Sequence, residues 1–234
     1  MCKLKSAIIL KDRIFIPEYD SHSNMLNELG ITDDYLGASK KFVRAELSPI
    51  DNDVFSPVDT WKFKVDQDIV PEWFSEDEYK PKMVEAVKKW AEAHIHIGID
   101  NLKIDTGSNH YIKDCKNVVI KNSTVEAVGN STVKAVGNST VKVWDNSTVE
   151  AWGNSTVEAV GNSTVKAVGN STVKAWDNST VMNDDYLIWY NQDKLILADK
   201  ATFKDKIDEV IYQSGAYKLI SIESGKTIGE AKNV

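Results

Sequence analysis

Cysteine is nearly absent: Cys2 and Cys115 are the only two in 234 residues. Two cysteines cannot form the disulfide framework of a small secreted domain, and they read more simply as reduced thiols in a reducing compartment. Long apolar runs are missing too. None approaches the roughly 18 residues that a membrane-spanning helix needs. Near the N-terminus, Lys3 and Lys5 are followed only by the short apolar run 7–10 and then by Lys11-Asp12. That run is shorter than a secretory h-region, so a cytoplasmic location without a membrane span is expected. There is no Gly-rich phosphate loop, no nucleophile elbow and no paired-carboxylate signature, so neither catalytic residues nor a cofactor are expected. Clustered basic residues are also lacking. The 28 Lys and Arg stand against 35 Asp and Glu, for a net charge of -7. Direct nucleic-acid binding is disfavoured, because counterion release needs basic clusters.

What is present is the 42% apolar and 27% charged content of an ordinary soluble protein. The acidity is uneven: residues 1–100 hold 19 Asp/Glu against 13 Lys/Arg, and the rest hold 16 against 15. This front part reads as a small α+β domain over residues 1–95. Residues 6–10 and 13–16 flank Lys11-Asp12 as a hairpin closed by Pro17. Ser23 is placed to cap a short helix through Leu29, with Gly30 as its stop. Residues 42–47 and 61–65 alternate apolar with polar, as half-buried strands do. A longer helix follows, in which Ser75 and Glu78 have capping-box spacing and Pro81 sits in the first turn. Met83, Val87, Trp90, Ala91 and His94 recur along it at helical intervals as a buried stripe. From His94 the period changes to two: Ile95, Ile97 and Ile99 form one apolar face, and Leu102, Ile104, Val118 and Ile120 carry the pattern onward.

At Asn122 an octapeptide, Asn-Ser-Thr-Val-Glu-Ala-Val-Gly, begins. Seven more copies start at Asn130, Asn138, Asn146, Asn154, Asn162, Asn170 and Asn178. A short fixed period means a stacked architecture. Charged residues cannot line a dry core, so Ser123, Val125, Ala127 and their equivalents should point inward, with Thr, Glu or Lys, and Val or Trp outward. Gly or Asp followed by Asn is turn chemistry. The fifth position sets the coil length. Every second copy gives Glu126, Lys142, Glu158, Lys174 in one column and Lys134, Glu150, Lys166 in the other, alternating in sign throughout. One octad per coil would stack Lys134 on Lys142, and three would stack Glu126 on Glu150; like charges across neighbouring strands are unfavourable. Two octads per coil, 16 residues, are therefore expected. That gives about four coils rising roughly 19 Å. The seventh position alternates in the same phase, with Val128, Trp144, Val160, Trp176 in one column and Val136, Trp152, Val168 in the other. Residues 122–153 nearly repeat as 154–185, a deeper period of 32.

The expected architecture is thus an α+β N-terminal domain, a two-sided parallel β-solenoid over residues 96–185, and a capping or interaction segment over 186–234. In the last segment, residues 186–190, 195–198 and 217–222 read as strands and 201–210 as a helix. A cap is needed because an open solenoid end exposes an unpaired strand edge.

Several residues invite functional readings. Each Asn-Ser-Thr matches the glycosylation acceptor pattern, but turn and ladder roles explain all eight copies. The Thr columns lack the uncharged Thr-x-Thr face of an ice-binding solenoid, since Glu or Lys occupies the next outward position. His94 and His96 would share one strand face and could hold zinc with a third ligand such as His110 or Asp100. The plainer reading is a pair of junction histidines. Cys115 beside Lys116 could be an activated thiol, though a small core residue is the simpler role. Asp66 and Asp68 alternate at a strand end and read as solvated acids. Outward Trp144, Trp152 and Trp176 are the strongest candidates for a binding surface, together with Glu126, Lys142, Glu158 and Lys174, because tryptophan is enriched at binding hot spots. The plainer reading folds these rings over the corners of the rod.

The repeat Asn-Ser-Thr-Val-x-Ala-Val/Trp-Gly resembles octapeptide repeats of uncharacterised phage and prophage β-helix proteins of gut bacteria. So do Ala7-Ile-Ile-Leu-Lys-Asp-Arg-Ile-Phe-Ile-Pro17, Trp61-Lys-Phe-Lys-Val-Asp-Gln-Asp68 and His110-Tyr-Ile-Lys-Asp-Cys-Lys-Asn-Val118. The resemblance implies a right-handed β-helix and a mobile-element setting, with a role in countering host defence, and it carries no functional residues. The function expected is non-enzymatic: a rigid solenoid displayed to a protein partner, with self-association as another option. The rival expectations are sequestration of a small nucleotide signal and a metal-dependent enzyme.

Overall fold

The hairpin expected at residues 6–16 and the alternating stretches 42–47 and 61–65 build a four-stranded antiparallel sheet. A computed structural model describes residues 5–183 throughout, and beyond them the strand backbones Leu195–Leu197, Thr202–Asp205, Val210–Gln213, Lys218–Ser221 and Thr227–Glu230. Cys2 and the strand expected at 186–190 lie outside the described residues. The chain divides into two units, Met1–Ile95 and His96–Val234.

In the first unit, strands β1 (Lys5–Leu10), β2 (Ile14–Phe15), β3 (Phe42–Ser48) and β4 (Lys62–Val65) pair in the order β2-β1-β3-β4. The hairpin closes over Lys11-Asp12, where the Leu10 N–H donates to Arg13 O at 2.8 Å. Helix α1 (His22–Glu28) buries Met25 and Leu26 against Ile8 and Phe42. Its cap is Ser21, whose Oγ accepts from the Asn24 N–H, two residues ahead of the expected Ser23. Gly30 follows at φ 66, the left-handed stop that glycine permits. A short helix, α2 (Tyr35–Lys40), was not legible in the sequence; Asp34 caps it through the Gly37 N–H at 2.6 Å. Helix α3 (Glu76–His94) buries Tyr79, Met83, Val87 and His94, while Trp90 and Ala91 are half-buried. The Ser75 side chain makes no capping bond there; only its carbonyl accepts, from Tyr79 N–H and Glu78 N–H. Residues of both parities in β1 and β3 are buried, among them Ala7, Ile8, Ile9, Val43 and Ala45. Such a sheet is covered on both faces, with α1 on that of Ile8 and Phe42.

The second unit is a β-solenoid of about six turns at 16 residues per turn, made of two parallel sheets. Register places Lys142 between Glu126 and Glu158, with Lys174 on Glu158, and Glu150 between Lys134 and Lys166. The charge columns therefore alternate as the repeat demands. The stack is longer than the four coils that the octads alone supply, because degenerate sequence at both ends takes the same register. Lys103–Ile104 pairs with Val118–Lys121 before the repeats, and Thr180–Asn183 pairs with Thr202–Asp205 after them. That last strand replaces part of the helix expected at 201–210. Thr202 and Phe203 fall in register with Thr180 and Val181, so the ladder already formed overrides the local helical pattern. The three strands Val210–Gln213, Lys218–Ser221 and Thr227–Glu230 then continue the sheet antiparallel.

Inside, the parity is as expected: the Ser, Val and Ala of each octad are buried, and one core runs from Ile104 to Val181. The serines sit at the corners without an unmet donor. Ser139, Ser155 and Ser163 each donate to the carbonyl three residues back, at 2.7–2.8 Å. Gly129, Gly137, Gly153, Gly161 and Gly169, and Asp145 and Asp177 in place of glycine, take positive φ at the turns. Each aspartate also helps the coil below: Asp145 Oδ2 accepts from the Gly129 N–H at 3.1 Å and Asp177 Oδ2 from the Gly161 N–H at 3.2 Å. Asparagine side chains stack one coil on the next, as in Asn170 Nδ2 to Asn154 Oδ1 at 3.1 Å. The repeated Asn-Ser-Thr is therefore a turn, a corner and an outward strand position.

Candidate functional site

Among the described residues, three places gather chemistry-bearing side chains: the outward columns of the solenoid, a histidine group in its first coils, and a His-Glu-Asp group in the first unit.

On the solenoid, Trp144 and Trp176 stand half-buried two coils apart in one sheet's column, while Trp152 stands on the other sheet and is 37% exposed. The backbone of each ring-bearing residue is held in the ladder; Trp144 N–H, for example, donates to Ala127 O at 3.0 Å. The Lys134 ammonium lies 5.1 Å from the Trp152 ring centroid, a cation–π arrangement on a solvent-facing surface. In the opposite column Lys142 Nζ is 3.4 Å from Glu158 Oε2. Glu126, Lys142, Glu158 and Lys174 are all half-buried, so their charges lie along the strand surface. The array thus offers two faces that are close to neutral, one with two tryptophans two coils apart and the other with a single tryptophan.

The histidines expected to share a strand face do not do so. His94 ends α3, where Nδ1 lies 2.7 Å from Trp90 O and Nε2 3.0 Å from Glu18 Oε2. Its ring stacks on Trp90 at 4.8 Å. His96 belongs to the strand Ile95–Ile97 and is buried, whereas Ile97 and Ile99 are exposed. The apolar face expected for these isoleucines is therefore the outer one. His110 explains this parity. It is in register with Val125, the first inward valine of the repeat column, and His96 Nε2 lies 3.3 Å from His110 Nδ1 with the rings stacked. His110 Nε2 reaches Thr106 Oγ1 at 2.8 Å. The two imidazoles thus open an inward column that valine continues. Asp100 is engaged elsewhere, accepting from the Lys116 N–H. Cys115 is a buried free thiol whose Sγ lies 3.4 Å from both His96 O and Lys113 O, either of which can accept its one hydrogen, a small core residue in position.

The third group was missed. Phe42, Arg44 and Glu46 share one face of β3; register sets Lys64 opposite Glu46, and the Asp66 N–H bonds Arg44 O. Helix α1 covers this face and brings His22 to it. Ligand-capable atoms of His22, Glu46 and Asp66 all lie within 4.8 Å of one another. His22 Nδ1 is 3.7 Å from Asp66 Oδ2 and Nε2 is 3.2 Å from Ala45 O. Lys64 Nζ bridges the acids, 2.8 Å from Asp66 Oδ1 and 3.9 Å from Glu46 Oε2. The hydrogen bond from Lys64 is the chief reason that the Asp66 carboxyl titrates below its ordinary value. Asp66 was visible in the sequence as a strand-end acid, but its partners come from other elements, and no local spacing announces them.

Among the described residues no helix is long and apolar enough to cross a membrane. Comparison with protein families, with curated proteins and with solved structures finds no match to this chain.

Proposed function

We propose that the protein is a non-enzymatic binding protein that presents its solenoid to a protein partner. The observation that carries this reading is the pair of outward columns. Side chains there are held at strand spacing by the backbone ladder, which pre-organises a surface at low entropic cost. Alternating Glu and Lys cancel in one column and leave a single positive charge in the other, so recognition rests on shape and on the aromatic rings more than on a net field. The likeness to phage and prophage repeat proteins suggests an accessory protein acting in a host cell's cytoplasm against host defence. A second copy of the chain is the other partner this surface would suit.

A nucleotide-like ligand is the second reading. A shallow hollow in the first unit is lined by Lys11, Asp12, Arg13, Tyr79 and Lys82, a mainly cationic rim with one aromatic wall. Lys82 already pairs with Glu78 at 2.6 Å, which favours the solenoid.

Valine occupies the same column positions as tryptophan at Val128, Val136, Val160 and Val168, so replacing Trp144, Trp152 and Trp176 by valine keeps the fold. Crosslinking and mass spectrometry of wild type and this triple variant in a bacterial lysate test the proposal. The expectation is a partner captured by the wild type and lost from the variant. Equal recovery by both would refute it, and a small molecule co-purifying with both would favour the second reading.

A further inference from the structure

We propose that His22, Glu46 and Asp66 form a binding site for a divalent cation of the zinc class, in which the metal displaces the Lys64 ammonium. The residue types fit: one imidazole nitrogen and two carboxylates are borderline N/O donors, which suit zinc better than magnesium or calcium. The spacing fits as well. His22 Nδ1 and Asp66 Oδ2, at 3.7 Å, are too far apart for a good hydrogen bond. Two ligands each about 2.1 Å from one tetrahedral ion stand roughly 3.4 Å apart.

The histidine is also oriented for the task from outside the cluster. Ala45 O, 3.2 Å from Nε2, can only accept, so Nε2 carries a hydrogen and Nδ1 is the nitrogen left to face the acids and a metal. A backbone carbonyl that fixes the imidazole tautomer in this way is the usual support of a metal-bound histidine. His22 and Glu46 are held on ordered elements, with side chains 11% and 19% exposed. Asp66 forms the open rim.

A cation already sits between the acids, namely Lys64, whose side chain is 58% exposed and free to swing into water. Arg44, 18% exposed, remains anchored on Asp33 and partly offsets the negative charge near Asp66. Three protein ligands leave the fourth tetrahedral position to water, the arrangement of an open rather than a closed zinc site.

Titration calorimetry of zinc into chelator-treated full-length protein tests the proposal, with magnesium as the control metal. One zinc should bind per chain, and magnesium should give no comparable heat. Lys64→Met should bind zinc about fivefold more tightly or better, since a competing charge roughly 4 Å away is removed. His22→Ala and Asp66→Asn should each lose affinity by about a hundredfold. Asp66 is 42% exposed, so its amide variant reports on binding even if the His22 variant folds poorly. Failure of the wild type to bind zinc overturns the proposal. So does unchanged binding in Asp66→Asn, which would put the ion elsewhere, such as on His96 and His110.

Discussion

Lys142→Glu would turn the most completely paired charge column of the solenoid against itself. Lys142 lies in register with Glu126 on one side and Glu158 on the other, and its ammonium is 3.4 Å from Glu158 Oε2. The substitution removes two attractive neighbours and creates two repulsive ones. Opposite charges across neighbouring strands contribute roughly 0.2–1 kcal/mol each, and like charges cost similar amounts. Four changes near the middle of that range come to about 2 kcal/mol at low ionic strength. For a chain of this size that lowers Tm by about 4–8 °C. Thermal unfolding at low and high salt is the assay, and 0.5 M salt should remove about half of the loss, because charges on the strand surface are screened.

The decisive control is reversal of the whole column: Glu126→Lys, Lys142→Glu, Glu158→Lys and Lys174→Glu. Register puts Tyr111 beyond Glu126 and Ile196 beyond Lys174, so the column ends on uncharged neighbours and reversal restores every pair. The reversed protein should melt within about 2 °C of wild type, a shift smaller than that of 1 kcal/mol. If it were as unstable as the single variant, the loss would come from glutamate at that strand position and not from the alternation, and the argument for the coil length would fail.

Other consequences follow from the core and the first unit. Ser155→Ala removes a buried hydroxyl that donates to Trp152 O at 2.8 Å and should cost about 1 kcal/mol in urea unfolding. Ala159 lies between Val143 and Ala175 in its inward column. Ala159→Val should therefore be nearly neutral, while Ala159→Leu overpacks and costs about 1–3 kcal/mol by the same measurement. In the first unit, Lys64→Met should raise the Asp66 pKa towards its ordinary value, as read by carboxyl NMR. A depressed carboxylate stabilises the fold above its unfolded pKa, near 3.9. That contribution is lost as pH falls through the folded value, so the variant should show a smaller loss of stability in acid.

How much of this was readable in the sequence depends on where the information sits. Coil length was legible because each charge constrains its neighbour one coil away, so the spacing of Glu126, Lys142, Glu158 and Lys174 records the period. The inward parity of Ser123, Val125 and Ala127 was legible for a related reason, since charge cannot face a dry core. Parity failed at residues 95–99, where His-Ile alternation offers two plausible inner faces. The outcome there depends on His110 taking the place of an inward valine, a contact between coils. The short helix Tyr35–Lys40 has too few turns to show a periodicity, and its one signal was Asp34 as a cap. The His22, Glu46 and Asp66 group depends on the register of β3 with β4 and on the seating of α1, neither of which is fixed by local sequence.

The deeper period of 32 residues implies that coils can be removed in pairs but not singly. Deleting residues 130–161 joins Gly129 to Asn162, the same dipeptide that every Gly-ended octad makes. Lys174 then stands on Glu126, and the Asp177 carboxylate meets the Gly129 N–H that Asp145 now serves. Deleting residues 138–153 also keeps whole coils, yet it stacks Glu126 on Glu158 and Lys134 on Lys166 and leaves Gly129 beneath Gly161 with no carboxylate. Stability of a solenoid is close to a sum over coils and their interfaces. Wild type, the 32-residue deletion and a 32-residue duplication should therefore fall on one line against coil number. The 16-residue deletion should lie below that line by about 1–2 kcal/mol, from two repulsive stacks and one missing hydrogen bond. High salt should recover the electrostatic part and not the hydrogen bond. A 16-residue deletion that fell on the line would mean that the alternation is a record of duplication alone, with no energetic role in holding the coils in register.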